Sequence, residues 1–254
     1  MKTTIKNRKG QNIVVLVELI KKAKGLAFVM HGLGGFKEEK HIKTFAQAFK
    51  DKDYSVVRFD TTNAFGESDG NYKDATTTNY YEDLVDVINW AKTQIWFMKP
   101  FCLVGHSLGG LCVTLYAENH PAEVKALAPI STAISRKLLE QRFSKKELKD
   151  WKKNGWKNIK SAIRTGMIKR LKWDFMDDLS KHESLEKVHR LKMPVLMIVG
   201  QKDVWERPKF QKMLFDKIPR KKEMHIIKGA PHTFVNKRHL NQIKKIFLEW
   251  INKI

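Results

Sequence analysis

Residues 101–110 of this 254-residue chain read Phe-Cys-Leu-Val-Gly-His-Ser-Leu-Gly-Gly. The first four residues are typical of a buried strand, and the segment from residue 108 onward is typical of a helix. Between them lies the glycine-x-serine-x-glycine pattern of a nucleophile elbow, in which a serine occupies a sharp strand-to-helix turn. Glycines flank the serine because larger side chains would collide at such a turn. We therefore predict that Ser107 is a catalytic nucleophile; the alternative is a glycine-rich turn with an incidental serine.

Short apolar runs alternate with longer amphipathic segments on both sides of this stretch, after an N-terminal hairpin predicted at residues 3–7 and 12–18. Such alternation favours an α/β fold with a mostly parallel sheet and helices on both of its faces. The further strands are predicted at residues 26–30, 54–59, 101–105, 124–128, 193–199 and 223–227. The helices are predicted at residues 40–50, 80–96, 108–119, 208–217 and 236–252.

The alternation stops between residues 135 and 190, where the sequence is charged, aromatic and helix-like, with no convincing strand. It resumes at residue 193, and no repeat or low-complexity linker separates the two parts. We therefore predict one α/β core domain, formed by residues 1–134 and 191–254, with a helical insertion at residues 135–190.

Composition excludes several classes of protein. Apolar residues make up 42% of the chain, too many for intrinsic disorder, yet no run approaches the ~20 apolar residues that span a bilayer. The two cysteines, Cys102 and Cys112, exclude a disulfide framework and a cysteine-rich metal site. The basic start of the chain is followed by a short apolar run without a cleavage-site pattern, so we expect no signal peptide and a cytoplasmic location.

The formal net charge is +22, and its field would attract nucleic acid, anionic lipid or acidic substrates. Basic residues occur along the whole chain and are densest at residues 136–172. No nucleic-acid-binding motif accompanies them. We expect a solvated, lysine-rich surface with no specific nucleic-acid partner and at most a weak association with anionic surfaces. The oligomeric state is left open.

A serine nucleophile needs a base, and the base needs an orienting acid. Of the nine histidines, His232 lies in a loop after a late strand, whereas the others fall in glycine motifs, helices, a strand or the insertion. Asp203 follows the strand predicted at residues 193–199, at the strand end where open α/β sheets gather their sites. The order Ser107, Asp203, His232 is that of one known hydrolase fold. We predict that these three residues form a catalytic triad.

Acyl transfer also requires two hydrogen-bond donors for the carbonyl oxygen as it becomes anionic. The segment His31-Gly-Leu-Gly-Gly follows an early predicted strand, so the backbone N–H of Leu33 is expected to point into the site. The backbone N–H of Leu108, at the start of a helix, is expected to be the second donor. We predict these two amides as the oxyanion hole; the alternative for the first segment is an ordinary glycine turn.

Taken together, these segments resemble the α/β-hydrolase superfamily, and within it compact lid-bearing esterases such as feruloyl or cinnamoyl esterases and monoacylglycerol lipases. The segments that carry the resemblance run in order along nearly the whole chain: His31-Gly-Leu-Gly-Gly, Gly66-Glu-Ser-Asp-Gly, Gly105-His-Ser-Leu-Gly, and the loops with Asp203 and His232. One departure is the link at residues 61–65, which is longer and less glycine-rich than the resemblance leads us to expect.

The resemblance implies that residues 135–190 form a lid over the site. His106 and the tryptophans of this segment, Trp151, Trp156 and Trp173, are then candidate substrate contacts, although such tryptophans more often pack the core of the lid itself. Neighbouring lysines at residues 152, 153, 157 and 160 would favour an anionic ester or a membrane surface. No metal and no cofactor are implied.

The sequence therefore predicts a serine carboxylic-ester hydrolase that forms an acyl-enzyme. By resemblance, its small-molecule substrates are hydroxycinnamoyl or short-to-medium acyl esters. A monoacylglycerol lipase, a thioesterase or an acyltransferase with the same machinery is an alternative. A different class, a non-catalytic binder of anionic ligands, also stays open, although candidates at all three triad positions count against it.

Overall fold

The computed structural model describes residues 1–160, 168–219 and 221–254. Its strands are β1 (Lys2–Lys6), β2 (Asn12–Glu18), β3 (Gly25–Met30), β4 (Tyr54–Phe59), β5 (Phe101–His106), β6 (Val124–Ile130), β7 (Trp156–Lys160), β8 (Ile168–Lys172), β9 (Val195–Gly200) and β10 (Lys222–Ile227). Its α-helices are α1 (Lys40–Lys50), α2 (Thr77–Lys92), α3 (Leu108–Asn119), α4 (Arg136–Glu140), α5 (Lys145–Asn154), α6 (Asp174–Leu179), α7 (Pro208–Lys217) and α8 (Lys237–Ile251).

Eight of these strands form one sheet in the order β1-β2-β4-β3-β5-β6-β9-β10. Strand β2 runs antiparallel to both of its neighbours, and all remaining neighbours in the sheet are parallel. Strand β5 lies between β3 and β6, so its carboxyl end is at the centre of the sheet edge. The α/β-hydrolase architecture with a mostly parallel sheet, predicted from the sequence, is confirmed.

Helices cover both faces of this sheet. Alternate residues of each strand point to opposite faces, so each face presents apolar side chains to a layer of helices. Phe28 and Leu103 pack with α2 and α3, whereas Val29 and Val104 pack with α1 and α8. All four side chains are fully buried, and burying such a side chain contributes roughly 1.5–3 kcal/mol. In the described ranges, no helix is both long and apolar enough to cross a membrane.

Helix α2 begins earlier and ends earlier than the predicted span of residues 80–96. The side chain of Thr76 accepts a hydrogen bond from the backbone N–H of Asn79, which caps the helix and starts it at Thr77. The helix ends at Lys92. The apolar periodicity therefore predicted that this stretch is helical, but not the residues at which the helix begins and ends.

The segment between β6 and β9 is not purely helical, and the expectation of no strand there is wrong. Strands β7 and β8 pair antiparallel, with Ile159 opposite Lys169 and Lys157 opposite Leu171. In both strands the apolar residues are three positions apart, Trp156 and Ile159 in β7 and Ile168 and Leu171 in β8, so the two-residue apolar period that marks a strand is missing. Residues 161–167 of the predicted insertion lie outside the described residues. The segment also contributes α4, α5 and α6.

Candidate active site

Ser107 lies between the end of β5 and the start of α3. Its backbone has a positive φ angle, which residues other than glycine rarely adopt. Its φ and ψ angles are 55° and −119°. Such strained backbone conformations occur mainly at functional sites, where the surrounding structure holds them in place. Side chains at Gly105 or Gly109 would collide with backbone atoms of Gly109 and His31, respectively. A Cβ atom on Gly32 would lie 2.9 Å from the Cβ atom of Ser107. The glycines therefore allow three backbone segments to converge on the serine.

Asp203 and His232 are joined by a hydrogen bond. His232 Nδ1 lies 2.8 Å from the Asp203 Oδ2 atom, and the other oxygen of Asp203 accepts from the backbone N–H groups of Trp205 and Glu206, each at 2.9 Å. Burial alone would raise the pKa of Asp203, but the interactions with His232 and the Glu206 amide lower it below its ordinary value. The carboxylate is therefore charged and fixed, as an orienting acid must be.

The histidine loop is positioned by the end of β9. Gly200 lies so close to the loop that any side chain there would collide with the carbonyl groups of Ala230 and Pro231. The backbone N–H of Lys202 donates to the carbonyl of Ala230 at 2.9 Å. These contacts hold the Asp203 loop and the His232 loop together.

His106 lines the cavity but is engaged in the protein. Its ring is 2% exposed, and its Nε2 atom donates to the backbone carbonyl of His232 at 2.9 Å. The ring also packs against His41, with 4.4 Å between the ring centroids. Burial lowers the pKa of His106 well below its ordinary value, so the ring is neutral. His106 thus links the serine turn to the histidine loop.

The two predicted oxyanion residues, Leu33 and Leu108, both line the cavity that contains Ser107. Neither backbone N–H has an acceptor among the described residues. The loop before Leu33 is held by His31, whose Nδ1 atom donates to the Gly32 carbonyl at 2.8 Å and whose Nε2 atom accepts from the Thr61 amide at 3.1 Å. Two amides without a described acceptor therefore belong to residues on the wall of the cavity that contains Ser107.

Ser107 and His232 lie on the wall of one cavity, which holds about 1080 Å³ of empty space including its opening to solvent. Its wall is mostly apolar. In the part of the chain that the structure describes, no hydrogen bond joins the Ser107 hydroxyl to His232, and catalytic hydrogen bonds of this kind often tighten only when substrate binds. The apolar side chains on the wall are Leu33, Leu108, Ala133, Leu139, Phe143, Trp151, Ile159, Leu171, Phe175, Leu179 and Trp205, together with the Tyr72 ring.

The three predicted tryptophans differ in position. Trp151 lines the cavity, and its buried indole N–H has no hydrogen-bond partner among the described residues. Trp173 packs edge-on against Trp151, with ring centroids 5.5 Å apart, and donates its N–H to Asp177. Trp156 lies under the guanidinium group of Arg170. Neither Trp156 nor Trp173 is among the described residues of the cavity wall. Both rings contact other residues of the insertion instead.

Several polar residues on the wall were not anticipated, among them Glu206 and Lys169. Glu206, three residues after Asp203, is 7% exposed, and burial raises its pKa well above the ordinary value. Its proximity to Asp203 in the sequence is a signal that sequence reasoning could have used. Lys169 on β8 reaches the same wall. No signal marked Lys169, because its strand was not predicted.

The sheet order, the serine turn and the histidine–aspartate pair define a hydrolase of the α/β-hydrolase superfamily. More particularly, residues 21–176 match the model of the family described as "Serine aminopeptidase, S33", and the chain belongs to that family.

Relatives with known names include esterases and thioesterases. The bovine (Bos taurus) protein "Palmitoyl-protein thioesterase ABHD10, mitochondrial" is 26% identical over 191 residues, which is 72% of this chain and 58% of the relative. The chain thus spans about three fifths of the length of that curated relative. Among solved structures, Est1E from Butyrivibrio proteoclasticus with bound ferulic acid has a TM-score of 0.83 at 21% identity, covering 99% of this chain and 98% of that one. ABHD10 from mouse has the same TM-score and identity, covering 100% and 99%.

Proposed function

We propose that this protein hydrolyses carboxylic esters or thioesters through an acyl-enzyme on Ser107. The observation that carries this proposal is the 2.8 Å hydrogen bond from Asp203, 29 positions away in the chain, to His232, which lines the same cavity as the strained Ser107 turn. A charged aspartate fixes the ring with its Nε2 atom free to act as a base. A non-catalytic binder of anionic ligands would not need this arrangement.

In the first half of the reaction, His232 takes the proton of the Ser107 hydroxyl as the serine oxygen attacks the acyl carbon. The amides of Leu33 and Leu108 hold the negative oxygen of the tetrahedral intermediate. Loss of one such donor typically costs roughly 10²–10³ in rate. The bond from the acyl carbon to the leaving oxygen or sulfur then breaks, and the His232 proton goes to the leaving group.

In the second half, His232 takes a proton from water as the water attacks the acyl-enzyme carbon. The bond to the Ser107 oxygen breaks, and the serine regains its proton from His232. The free acid leaves the cavity. Asp203 stays ionised throughout and stabilises the protonated imidazole that forms in each half.

The insertion between β6 and β9, predicted as a lid at residues 135–190, fits that role. It contributes the side chains of Leu139, Phe143, Trp151, Ile159 and Leu171 to the cavity wall. Without them the wall opposite the catalytic loops would be open to water. We propose that this segment covers the acyl group during catalysis.

The apolar wall supports an acyl or aryl-acyl group, in line with the substrates expected from the sequence. The unpartnered N–H of Trp151 favours an acyl group with an oxygen that accepts a hydrogen bond, as hydroxycinnamoyl groups have, because a buried donor without an acceptor is costly. The name of the curated relatives favours a second candidate, a thioesterase.

The expected cytoplasmic location is retained as part of this proposal. Both cysteines, Cys102 and Cys112, are free and buried, as expected in a reducing compartment.

A panel of p-nitrophenyl, glyceryl, feruloyl and thioester substrates tests the proposal. We expect the protein to hydrolyse at least one ester or thioester series, and Ser107→Ala to abolish the hydrolysis. Ser180→Ala, a substitution at an exposed serine, is the matched control and should leave the rates unchanged. Hydrolysis by Ser107→Ala at the wild-type rate would exclude the mechanism.

A further inference from the structure

The positive charge of the chain is densest in a segment that contributes to the cavity wall. Residues 136–172 contain 14 basic and 3 acidic residues, a net charge of +11 out of the +22 of the whole chain. The same segment contributes Phe143, Trp151, Ile159 and Leu171 to the cavity wall. Half of the net charge therefore belongs to a stretch of 37 residues, some of whose described members line the cavity.

Much of this charge is available to a ligand. Lys152 and Lys153 are exposed on α5, directly after the cavity residue Trp151, and neither pairs with a carboxylate in the described part of the chain. Lys157 is paired with Glu147 at 3.2 Å, and Lys172 is paired with Asp74. Exposed lysines that lie close together create a positive field, which raises the local concentration of anions. This effect weakens as salt is added.

Lys169 brings a positive charge to the cavity itself. It lies on β8 opposite Ile159, is partly exposed and lines the cavity. Its Nζ atom lies over the rings of Phe65 and Tyr72, 5.2 and 5.5 Å from their centroids, and these two rings stack on each other. Cation–π contacts of this kind fix the position of an ammonium group. Lys169 thus joins the insertion to the core at the cavity edge.

The described wall also contains two carboxyl groups. Glu206 is 7% exposed, and burial raises its pKa well above its ordinary value, which favours its uncharged form. Glu39 is 7% exposed and lies against the Gly35 backbone, next to the ring of His41, whose Nε2 atom is 3.6 Å from a Glu39 oxygen. Both carboxyl groups are therefore buried, whereas Lys169 is partly exposed.

From this placement we propose that the enzyme acts on acyl compounds whose leaving group carries phosphate, with the acyl chain on the apolar wall and the phosphate at the basic edge near Lys169. The inference rests on the proposed function. Ser107 bonds to the acyl carbon, the bond to the leaving sulfur or oxygen breaks, and the leaving group departs with the His232 proton and with its phosphate intact. Lysine suits this role, since its ammonium group binds phosphate as a point charge.

The test compares matched substrates that differ in phosphate. One pair is the octanoyl thioesters of 4′-phosphopantetheine and of pantetheine; the other is mono-octanoylglycerol 3-phosphate and mono-octanoylglycerol. We expect kcat/KM at low salt to be at least about tenfold higher for the phosphorylated member of one or both pairs, as for electrostatically steered ligands. The ratio should fall towards one as salt is raised. The pair that shows the preference identifies the leaving group as a phosphorylated thiol or a glycerophosphate.

Two variants locate the effect. Lys169→Gln should reduce the ratio within the preferred pair at least about threefold, because a charge close to the ligand is removed. The matched control, Lys245→Gln, changes a lysine on α8 whose side chain is 79% exposed and should leave the ratio unchanged. Equal kcat/KM values within both pairs at low salt would overturn the inference and leave the proposed function intact. Failure to hydrolyse any of the four substrates, or the aryl esters above, would instead overturn the proposed function.

Discussion

The His106 ring donates a hydrogen bond from Nε2 to the backbone carbonyl of His232 at 2.9 Å, so the residue before Ser107 holds the loop that carries His232. The sequence predicted His106 as a substrate contact, and the residue does line the cavity. Its position between His41 and His232, with ring centroids 4.4 and 4.7 Å away, leads us to propose that it also positions the His232 loop.

His106→Leu should therefore lower kcat by about tenfold to a hundredfold, since small misplacements of a catalytic group have effects of this size. KM should change less than kcat, because His106 is nearly fully buried and the apolar side chains of the wall are unchanged. Steady-state kinetics on a p-nitrophenyl ester separates the two constants. His106→Asn, which retains a donor, should recover part of the kcat; equal losses in both variants would indicate that only the ring volume matters.

Asp203→Asn should lower kcat by about 10³–10⁴-fold, because an amide favours the wrong tautomer of the histidine. The substituted side chain has the same shape, and its neighbours Trp205 and Glu206 still offer backbone N–H groups. The measurement is kcat at neutral pH together with a thermal unfolding curve. Asp216→Asn, on the exposed face of α7, is the control and should retain full activity. Full activity of Asp203→Asn would rule out the role assigned to Asp203.

Leu139→Phe should shift the preferred acyl chain towards shorter lengths. Leu139 lies on the cavity wall and is partly buried, so a larger ring occupies space that the acyl chain would use. The measurement is kcat/KM across a series of p-nitrophenyl esters of increasing length. Leu19→Phe, at an exposed leucine far from the cavity wall, is the control. An unchanged profile would show that the acyl group does not reach this part of the cavity.

Glu118 makes stability depend on pH. It is 1% exposed, neither of its carboxyl oxygens has a hydrogen-bond partner among the described residues, and burial raises its pKa to about 8. Below about pH 4.5 the residue is protonated in both the folded and the unfolded state, so it has no effect there. As the pH rises from 4.5 to 8, the unfolded state releases the proton first and the folded state loses stability.

Glu118→Gln should therefore increase the free energy of unfolding near pH 8.5 by roughly 2–5 kcal/mol relative to the native chain, with little change near pH 4.5. Urea unfolding at the two pH values measures this difference. Glu249→Gln, with an exposed side chain on α8, should change neither value by more than about 0.5 kcal/mol. A Glu118→Gln gain of equal size at both pH values would show that ionisation is not the cause.

The sequence predicted most of the sheet because each core strand is a continuous apolar run, as β5 and β9 are. It also placed α1 at its observed bounds, since Ile42, Phe45 and Phe49 mark one helical face. The start of α2 was missed because it depends on a single capping contact from Thr76. Strands β7 and β8 were missed because their apolar residues are three positions apart, so the pairing of the two strands, rather than a two-residue apolar period, defines them.

The candidate triad followed from motif spacing and chain order, which fix the strand ends on which the side chains lie. The roles of the flanking residues did not follow in the same way. Whether Trp151 or Trp173 faces the cavity depends on how α5 and α6 pack within the insertion, and their sequence contexts are alike. The buried state of Glu206 likewise depends on the packing of its loop.

The proposed triad is tested most directly by the site of reaction with a fluorophosphonate probe, located by peptide mass spectrometry on the folded protein. We expect one labelled residue, Ser107, with labelling abolished in Ser107→Ala and slowed strongly in His232→Ala, because the base activates the serine. Labelling of a different serine, or an unlabelled native protein that still hydrolyses esters, would contradict it.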